Sequence, residues 1–453
     1  MSNRLPSFSR RRGFATLMVF LVIIFGAMVV SMVQSASYAQ AAAGREAMAR
    51  VRAHWAARAG VESALARLEA VREDDDDSDA YRMLNEMAAV ADGEMDGASW
   101  SVRSTDDGRE VAGPADAASR ININLATAEQ LNTVEPFMMP DVIDAIQDWR
   151  DGDDDALPQG AEAGYYGGLM YAAGPRNGSF RTIAEMELVA GVQADDVRGE
   201  DWNLNGLLDP NEDDGDTSFP PDNADGRLDR GWSGIFSTMS VEDSRGPSGE
   251  PKLDLTAAEE GEIQQRFRVS AEQAKAIRDY MQSGQTGGIP DFIRNNLSDL
   301  ARVAVQRRGG TRQEQQQAAR TQNLSREQLG LLIDEGTTIP AEVLRFVPSR
   351  LNVNTANVKT LEYLPEIEPE VADSIIAERS SKPQGFASVA ELLDVPGMTR
   401  QSLSIVAQLV CTRSNVYIVT CKGVDERSGL EVEMIATLDA TTLPAVIREV
   451  RVR

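Results

Sequence analysis

The chain starts with a polar stretch and then turns abruptly apolar. Three arginines at positions 10–12 precede Gly13 and the apolar run FATLMVFLVIIFGAMVVSMV, which covers residues 14–33. No charged side chain occurs between Phe14 and Gly44. Because about 20 apolar residues in an α-helix span a bilayer, this pattern predicts one membrane-spanning helix with its basic end in the cytoplasm.

Beyond the apolar run, hydrophobic positions recur at helical spacing and charged residues occupy the other faces. The helix is predicted to run from Phe14 to about Val71 and to end at the four aspartates 74–77. Its second half is rich in alanine and is expected to pack on a sheet. The single histidine, His54, is interpreted as a packing residue beside Trp55.

From Ala98 the hydrophobic period changes to two, which predicts a hairpin with its turn at 106–108. Three further strands are predicted between Ser414 and Arg453, and no long strand pattern lies between Asn124 and Ala407. The sequence therefore predicts an α+β fold. Its N-terminal transmembrane helix packs on a small antiparallel sheet, and a large α-helical domain is inserted between the sheet strands.

The predicted insert contains an internal repeat. ININLAT at 121–127 matches LNVNTA at 351–356, and FRTIAEMELVAGV at 180–192 aligns without a gap with FASVAELLDVPGM at 386–398. A weaker third copy is predicted at 252–281. Helix N-caps are expected at one asparagine or threonine in each of the two clear copies, the candidates being Asn124, Thr127, Asn354 and Thr355.

Residues 282–345 are weakly patterned, and the glutamine-rich run 312–320 is interpreted as an exposed helix or a mobile linker. The chain is divided into eight predicted segments. They are a leader (1–13), the N-terminal helix (14–73), the first part of the sheet domain (74–120), the first helical unit (121–198), an acidic insert (199–245), the third helical unit with a linker (246–345), the last helical unit (346–410) and the C-terminal strands (411–453).

Charge and composition narrow the function classes. The formal net charge of the 453 residues is −26, and removal of the four arginines in the first 13 residues would make it −30. Such a chain repels nucleic acid and anionic lipid, and it can hold divalent cations. With one histidine and no nucleophile-elbow, zincin or phosphate-loop motif, the chain is predicted not to be an enzyme.

The stretch DWNLNGLLDPNE, residues 201–212, fits the twelve-residue calcium-loop pattern, with Gly206 at the sharp turn. Pro210 and Gly215 limit any exit helix, so a loop-only calcium site is expected. The predicted calcium ligands are Asp201, Asn203, Asn205, Leu207 through its backbone carbonyl, Asp209 and Glu212. A poorer second candidate, which lacks a closing glutamate, comprises Asp222, Asn223, Asp225 and Asp229.

Cys411 and Cys421 are the two cysteines of the chain, and both fall in its C-terminal part. A periplasmic location would permit a disulfide that closes the short segment between them, and this disulfide is predicted. Two free buried thiols are the alternative.

The arginine-glycine-phenylalanine junction ahead of the apolar run resembles the type IV pilin class. In that class a prepilin peptidase cuts after such a glycine, so the resemblance implies cleavage between Gly13 and Phe14 and methylation of the new N-terminus. A secretory signal cut near Ala43 and a plain signal anchor are alternatives. Most pilin-like subunits carry glutamate as the fifth mature residue, but here that residue is Met18. Its absence is typical of one minor pseudopilin, protein K of type II secretion.

A second feature resembles the general secretion pathway protein K family more closely. It is an aspartate-rich segment at 148–155, followed by Gly160-Ala161-Glu162 and the pair Tyr165-Tyr166. The resemblance implies a single-pass inner-membrane minor pseudopilin with its bulk in the periplasm. It also implies a place at the pseudopilus tip, where the protein initiates assembly with minor pseudopilins I and J. Whether the acidic loop binds a metal or is simply solvated stays open.

The repeats also resemble helix-hairpin-helix or SAM-like modules of DNA-uptake proteins. A DNA-binding hairpin presents backbone amides to phosphate, whereas the turn at 365–369 carries Glu366 and Glu368. No nucleic-acid partner is therefore expected. A membrane-anchored DNA receptor and a minor pilin of a type IV pilus remain the alternative functions.

Overall fold

The computed structural model describes residues 11–73, 79–134, 138–168, 174–284, 286–344 and 346–453. The α-helices are α1 (Arg11–Glu73), α2 (Arg82–Ala88), α3 (Ala128–Leu131), α4 (Pro140–Arg150), α5 (Ala163–Tyr166), α6 (Ala194–Arg198), α7 (Glu260–Phe267), α8 (Ala271–Met281), α9 (Ile289–Arg294), α10 (Leu297–Arg307), α11 (Arg312–Ala318), α12 (Arg326–Glu335), α13 (Ala341–Leu344), α14 (Val358–Glu362), α15 (Pro369–Ser381) and α16 (Arg400–Val406).

The strands alternate with these helices and fall into one large sheet and three short ladders. They are β1 (Asp92–Met95), β2 (Ala98–Asp106), β3 (Arg109–Ala112), β4 (Ala115–Asp116), β5 (Ile121–Asn122), β6 (Phe236–Ser237), β7 (Leu253–Asp254), β8 (Gly336–Thr337), β9 (Leu351–Asn352), β10 (Val410–Cys411), β11 (Val416–Asp425), β12 (Glu431–Asp439) and β13 (Val446–Val452).

Helix α1 is continuous over 63 residues, as the apolar and amphipathic patterns predict. Every side chain from Phe14 to Met48 is exposed. The second half instead buries a stripe of small and apolar residues, among them Ala53, Ala57 and Val61, against the sheet. The leader residues 1–10 and the predicted helix end at 74–77 lie outside the described residues.

Both ends of the chain build the large sheet, whose order is β1-β2-β11-β12-β13, with β3 paired to β2 and β4 to β11. All of these pairs are antiparallel. The predicted hairpin and the three predicted C-terminal strands are confirmed, whereas β1 and β4 were not predicted. The sheet is thus interrupted in sequence by the long helical insert, and the predicted fold class is confirmed.

Glycines let α1 lie close to the sheet. A Cβ atom at Gly423 of β11 would stand 2.1 Å from the Ala53 carbonyl oxygen, and one at Gly60 would stand 2.5 Å from Cys421 Sγ. Real side-chain carbons do not approach other atoms so closely, so these positions require glycine. The alanine-rich face of the helix and these glycines form one tight contact.

Three copies of one unit build the insert. Each begins with a two-residue parallel ladder, formed by β5 with β6, β7 with β8 and β9 with β10. In each copy the second strand residue, Asn122, Asp254 or Asn352, accepts a hydrogen bond from the backbone N–H two residues later. The weak third copy predicted at 252–281 shares this turn with the other two.

The asparagine N-caps predicted at Asn124 and Asn354 are wrong. Each side chain instead bonds both the N–H and the carbonyl of a distant phenylalanine, Phe180 in the first case and Phe386 in the second. A side-chain amide has both a donor and an acceptor, so it can pair with an extended backbone as a strand does. The caps are Thr127, one of the predicted alternatives, and Asn357.

Between residues 286 and 344 the chain forms helices α9–α13 and strand β8. Helix α11 is the exposed helix that the glutamine-rich run predicts, and Thr311 caps its N-terminus. The described helical units share one continuous apolar core. Glu242 joins the units further, because its carboxylate accepts hydrogen bonds of 2.7 Å from Lys252 and from Arg350.

Candidate functional site

The apolar half of α1 is the first functional element. Among the described residues, α1 is the one helix that is long and apolar enough to cross a membrane. Gly13 lies in this helix, and Phe14 follows it with an exposed side chain. The geometry fits a single-pass anchor, while cleavage after Gly13 and methylation of Phe14 remain predictions.

Just beyond the anchor, α1 keeps a short apolar surface that faces away from the sheet. Met48, Val51 and Trp55 follow each other at helical spacing and are exposed, Trp55 by 58%. Buried alanines occupy the opposite face of the same turns. Exposed apolar side chains in such a stripe favour contact with other helices.

The calcium-loop sequence 201–212 lies at the junction between the insert and the sheet. Thr420 of β11 donates a 3.0 Å hydrogen bond to the Asn205 carbonyl, and the Asn205 amide donates at 2.9 Å to Glu433 of β12. Lys422 lies 3.2 Å from Asp209. The loop therefore holds the acidic insert against the outer face of the sheet.

Within this loop the predicted ligands converge. The Asp209 Oδ2 atom accepts hydrogen bonds from the side-chain amides of Asn203, at 2.7 Å, and Asn205, at 3.0 Å. Asp201 and Glu212 are buried, and burial raises the pKa of Glu212 to about 7. Gly206 has φ of +74° at the sharp turn, as the pattern requires.

The residues present fit a calcium ion. Carboxylate, amide and carbonyl oxygens are the donors that calcium prefers, and Asp209 lies against the side-chain amides of Asn203 and Asn205. Rotation of the Asn203 and Asn205 amides by half a turn would bring their oxygens toward Asp209. At the edge of the loop, Arg230 lies 3.3 Å from Asp201. Calcium binding at this loop remains a prediction.

In the second candidate loop, Asp222, Asn223, Asp225 and Asp229 bond mainly to nearby backbone N–H groups, and Asp225 is exposed. The structure supplies the acidic residue that the sequence pattern lacks. Glu200 accepts from the N–H groups of Asn223 and Asp229, much as Glu212 accepts from those of Trp202 and Asp209. Sequence reasoning missed Glu200 because it precedes the loop instead of closing it.

The acidic loop of the first unit brings Asp148, Asp151 and Glu162 together, so that one ligand oxygen of each lies within 4.8 Å of the others. Trp149 packs beside this cluster, stacked on Phe180 at 6.1 Å and edge-on to Tyr166 at 5.5 Å. The first tyrosine of the predicted pair, Tyr165, stays exposed.

The predicted disulfide is not formed, and both cysteines are free and buried. Cys411 lies on β10 of the insert, where its Sγ atom bonds the Arg350 and Arg413 carbonyls. Cys421 lies on β11 in the core between α1 and the sheet. Burial raises the pKa of each thiol to about 12. The two residues are near in the chain, but Cys411 lies on a strand of the insert and Cys421 lies in the core of the sheet domain.

The hairpin between α14 and α15 presents Glu366 to solvent with φ of +63°. An exposed carboxylate at this turn repels phosphate. The corresponding hairpin of the first unit, at 136–140, lies partly outside the described residues.

Two family models match parts of this chain. Residues 114–199 match "Type II secretion system (T2SS), protein K". In this segment the chain is similar to protein K of type II secretion. Residues 349–411, which cover the last unit, match the helix-hairpin-helix motif. The protein K match supports a minor pseudopilin of type II secretion.

The chain also resembles a solved structure, described as the GspK-GspI-GspJ complex from the type 2 secretion system of enterotoxigenic Escherichia coli. The two chains are 11% identical, and the match covers 90% of this chain and 99% of the other chain with a TM-score of 0.44. No curated protein gives a significant match. Residues 200–348, with the calcium-loop sequence and the third unit, fall outside both family matches.

Proposed function

We propose that this minor pseudopilin occupies the tip of the pseudopilus and initiates its assembly together with minor pseudopilins I and J. The observation that carries the proposal is the division of α1. Its first half is apolar and exposed throughout, and its second half packs on the sheet but keeps an apolar stripe on the other face. An exposed apolar surface of this kind on α1 favours contact with helices of other subunits.

Met18 supports a position at the end of the filament. A carboxylate inside the membrane is stable only when it is paired, and in pilin-like subunits the fifth residue pairs with the N-terminal amine of a neighbour. Methionine has no carboxylate, so the protein cannot form that pair through Met18. A subunit without the carboxylate fits a place where one neighbour is missing.

The bulk of the insert supports the same position. Three helical units with a shared core lie between the strands of the sheet domain. A subunit added on the tip side of this protein would have to fit around the insert. Subunits on the membrane side would contact α1. The width of the insert is therefore tolerated at a tip more easily than inside a filament.

Processing and orientation complete the proposal. A prepilin peptidase would cut after Gly13, and the basic residues before the apolar run would keep that end in the cytoplasm. The sheet domain and the insert would then lie in the periplasm. In this role the protein acts as a structural component rather than as an enzyme.

Calcium belongs to the proposal as a structural cofactor of loop 201–212. Asp201, Asn203, Asn205, Asp209 and Glu212 would hold it through side-chain oxygens, and Leu207 through its carbonyl. The ion would supply positive charge to buried carboxylates and stiffen the segment that bonds β11 and β12. No chemical reaction is assigned to it.

The proposal is tested by co-expression of the full chain with minor pseudopilins I and J and by purification through a tag on the chain. Both partners should copurify with the unaltered chain. Val51→Arg, on the exposed apolar stripe of α1, should remove them without lowering the melting temperature.

The matched control is Arg50→Ala, which alters an exposed side chain at the preceding position and should leave the complex intact. Undiminished recovery of I and J with Val51→Arg would contradict the assigned surface. Assembly of secretion-competent pseudopili in cells that lack the protein would contradict its initiating role.

A further inference from the structure

A cleft of about 750 Å³ opens where three parts of the chain meet. Helix α2 and the turn between β2 and β3 form one wall, and residues 223–235 of the acidic insert form the second. The third wall belongs to the last helical unit, which contributes Lys359 of α14 and Arg379 of α15. Ligand pockets commonly have volumes of about 300–1,000 Å³, so the cleft is large enough to hold a ligand.

Arg120 forms the floor of this cleft. It is 9% exposed and lies between the cleft and a smaller cavity of about 100 Å³ beside β11 and β12. Its Nη1 atom donates a 2.9 Å hydrogen bond to the Ser233 carbonyl, and among the described residues no carboxylate forms an ion pair with it. A buried charge without a counter-charge is unfavourable, and burial lowers the pKa of Arg120 to about 9.

The two carboxylates whose charges favour the ionised form of Arg120 are Asp201 and Asp116, and both are bound to other groups. Asp201 lies 3.3 Å from Arg230. The buried Asp116 accepts a 2.8 Å hydrogen bond from Asn352. The charge of Arg230 also acts against that of Arg120. The guanidinium of Arg120 therefore keeps an unmatched positive charge at the floor of the cleft.

The last unit adds two more cationic side chains to the cleft. Lys359 is exposed, and it takes part in none of the ion pairs between described residues. Arg379 donates hydrogen bonds of 2.8 and 2.7 Å to the carbonyls of Val353 and Ala356 rather than to a carboxylate. Together with Arg120, three cations border one cavity without a paired acid in the part of the chain that the structure describes.

The mouth of the cleft has the opposite charge. Exposed aspartates of the β2–β3 turn, α6 and the acidic insert line it, namely Asp107, Asp195, Asp225 and Asp229. Small anions that carry two charges are repelled by such a mouth. A single carboxylate with basic groups on either side would instead be attracted both by the floor and by the mouth.

We propose that this cleft binds a carboxylate carried by another polypeptide, which pairs with Arg120 while basic neighbours of that carboxylate face the aspartates at the mouth. A guanidinium can hold a carboxylate through two parallel hydrogen bonds. Because Arg120 uses Nη1 for the Ser233 carbonyl, its Nε and Nη2 atoms are available for this pair. The carboxylate belongs either to an acidic side chain or to a free chain end.

This site uses neither the calcium ligands of loop 201–212 nor the apolar stripe of α1. Its occupant would contact the sheet domain, the acidic insert and the last unit together, because all three line the cleft. The inference does not depend on a position at the filament tip. The test below uses the protein without partners, so its failure would leave the proposed tip role untouched.

Three labelled pentapeptides probe the site by fluorescence anisotropy with the full chain in nonionic detergent. The first is capped at both ends and has one glutamate between two lysines, separated by alanines. The second has glutamine in place of glutamate, and the third is the glutamine peptide with a free carboxyl end. A carboxylate peptide should bind about tenfold or more tightly than the capped glutamine peptide, and the tighter of the two identifies the source. Equal or absent binding of all three would overturn the proposal.

The variant Arg120→Gln should weaken the binding of the carboxylate peptide about tenfold or more and should leave the capped glutamine peptide unaffected. The matched control is Arg109→Gln, which alters an exposed arginine on β3 that does not line the cleft. Its affinity should equal that of the unaltered chain. Unchanged affinity of Arg120→Gln for the carboxylate peptide would overturn the proposal.

Thermal unfolding separates loss of the site from loss of the fold. Without peptide, Arg120→Gln should melt at the same or a higher temperature than the unaltered chain, because one unmatched buried charge is gone. With saturating carboxylate peptide the order should reverse, and equal peptide-induced shifts in both proteins would overturn the proposal. At equal ionic strength, acetate should displace the peptide better than inorganic phosphate. Stronger displacement by phosphate would overturn the choice of a carboxylate.

Discussion

Arg52 Nε donates a 2.6 Å hydrogen bond to Asp425 Oδ1, and this contact ties the middle of α1 to the end of β11. The Asp425 side chain is almost fully buried, and its other oxygen accepts from the N–H of Ser428 at 2.9 Å. One carboxylate therefore fixes both the position of the helix on the sheet and the turn between β11 and β12.

This pair predicts how stability depends on pH. The hydrogen bond from Arg52 lowers the pKa of Asp425 to about 2. The stabilisation is therefore present above the unfolded pKa, near 4, and is lost as the pH falls through about 2. Asp425→Asn should lower the melting temperature at pH 7 and should flatten the further loss between pH 4 and pH 2, as measured by scanning fluorimetry.

Asp107→Asn is the control for this experiment, because Asp107 forms an exposed ion pair with Arg227 at 3.4 Å. Its melting temperature should follow that of the unaltered chain at every pH. A parallel acid profile for Asp425→Asn and the unaltered chain would show that the Arg52 pair does not stabilise the fold.

Two glycines of α1 should respond oppositely to alanine. A Cβ atom at Gly60 would stand 2.5 Å from Cys421 Sγ and 2.6 Å from the Trp100 ring, whereas Gly44 has no atom within 4 Å of that position. Gly60→Ala should destabilise the sheet domain by about 1–3 kcal/mol through overpacking. Gly44→Ala should change stability by at most about 1 kcal/mol, in the favourable direction.

Chemical denaturation of the two variants in detergent measures this difference. Because both substitutions raise helix propensity equally, the comparison isolates the packing of α1 on the sheet. Equal stability of Gly60→Ala and Gly44→Ala would mean that the helix does not lie on β11 as closely as described.

Glu242 should be the most sensitive polar residue of the insert. Although burial opposes ionisation, Arg350 and Lys252 hold the pKa of Glu242 well below its usual range. Glu242→Gln would leave these two cations without their buried counter-charge, which costs about 3–5 kcal/mol. Urea unfolding monitored by circular dichroism should show the loss, and Glu250→Gln, an exposed neighbour, should show none.

Removal of calcium should weaken the junction between the insert and the sheet. At a free calcium concentration 100 times the dissociation constant, one site adds about 2.7 kcal/mol to stability. A chelator should therefore lower the melting temperature, and Glu212→Gln should lose the part of the shift that loop 201–212 contributes. Identical calcium-induced shifts of the melting temperature in Glu212→Gln and the unaltered chain would contradict calcium binding at this loop.

Sequence patterns predicted those parts of the fold that local periodicity determines. The helical period gave α1, the alternating period gave β2, β3 and the three last strands, and the repeat gave the insert with its third copy. The short strands β1 and β4 were missed because four and two residues carry too little pattern. Their positions depend on the pairing with β2 and β11, which is formed only in the tertiary fold.

The candidate sites show the same difference between features set by local sequence and features formed only in the tertiary fold. The calcium pattern of loop 201–212 was recognised because all its predicted ligands are within twelve residues at fixed spacing. Glu200 and the cluster of Asp148, Asp151 and Glu162 depend on loops that fold back, so spacing alone does not group them. The asparagine caps failed for a related reason, since Asn124 and Asn354 bind backbone 56 and 32 residues away.

The intact mass of the protein, after expression in cells that contain a prepilin peptidase, tests the central claim most directly. The account predicts a chain that begins at Phe14 and carries one additional methyl group, because Gly13 and Phe14 form the processing junction ahead of the apolar helix. A Gly13→Leu variant should keep its leader. A mass that retains Met1 in the unaltered chain, or that places the N-terminus near Ala43, would contradict the assignment as a processed pseudopilin.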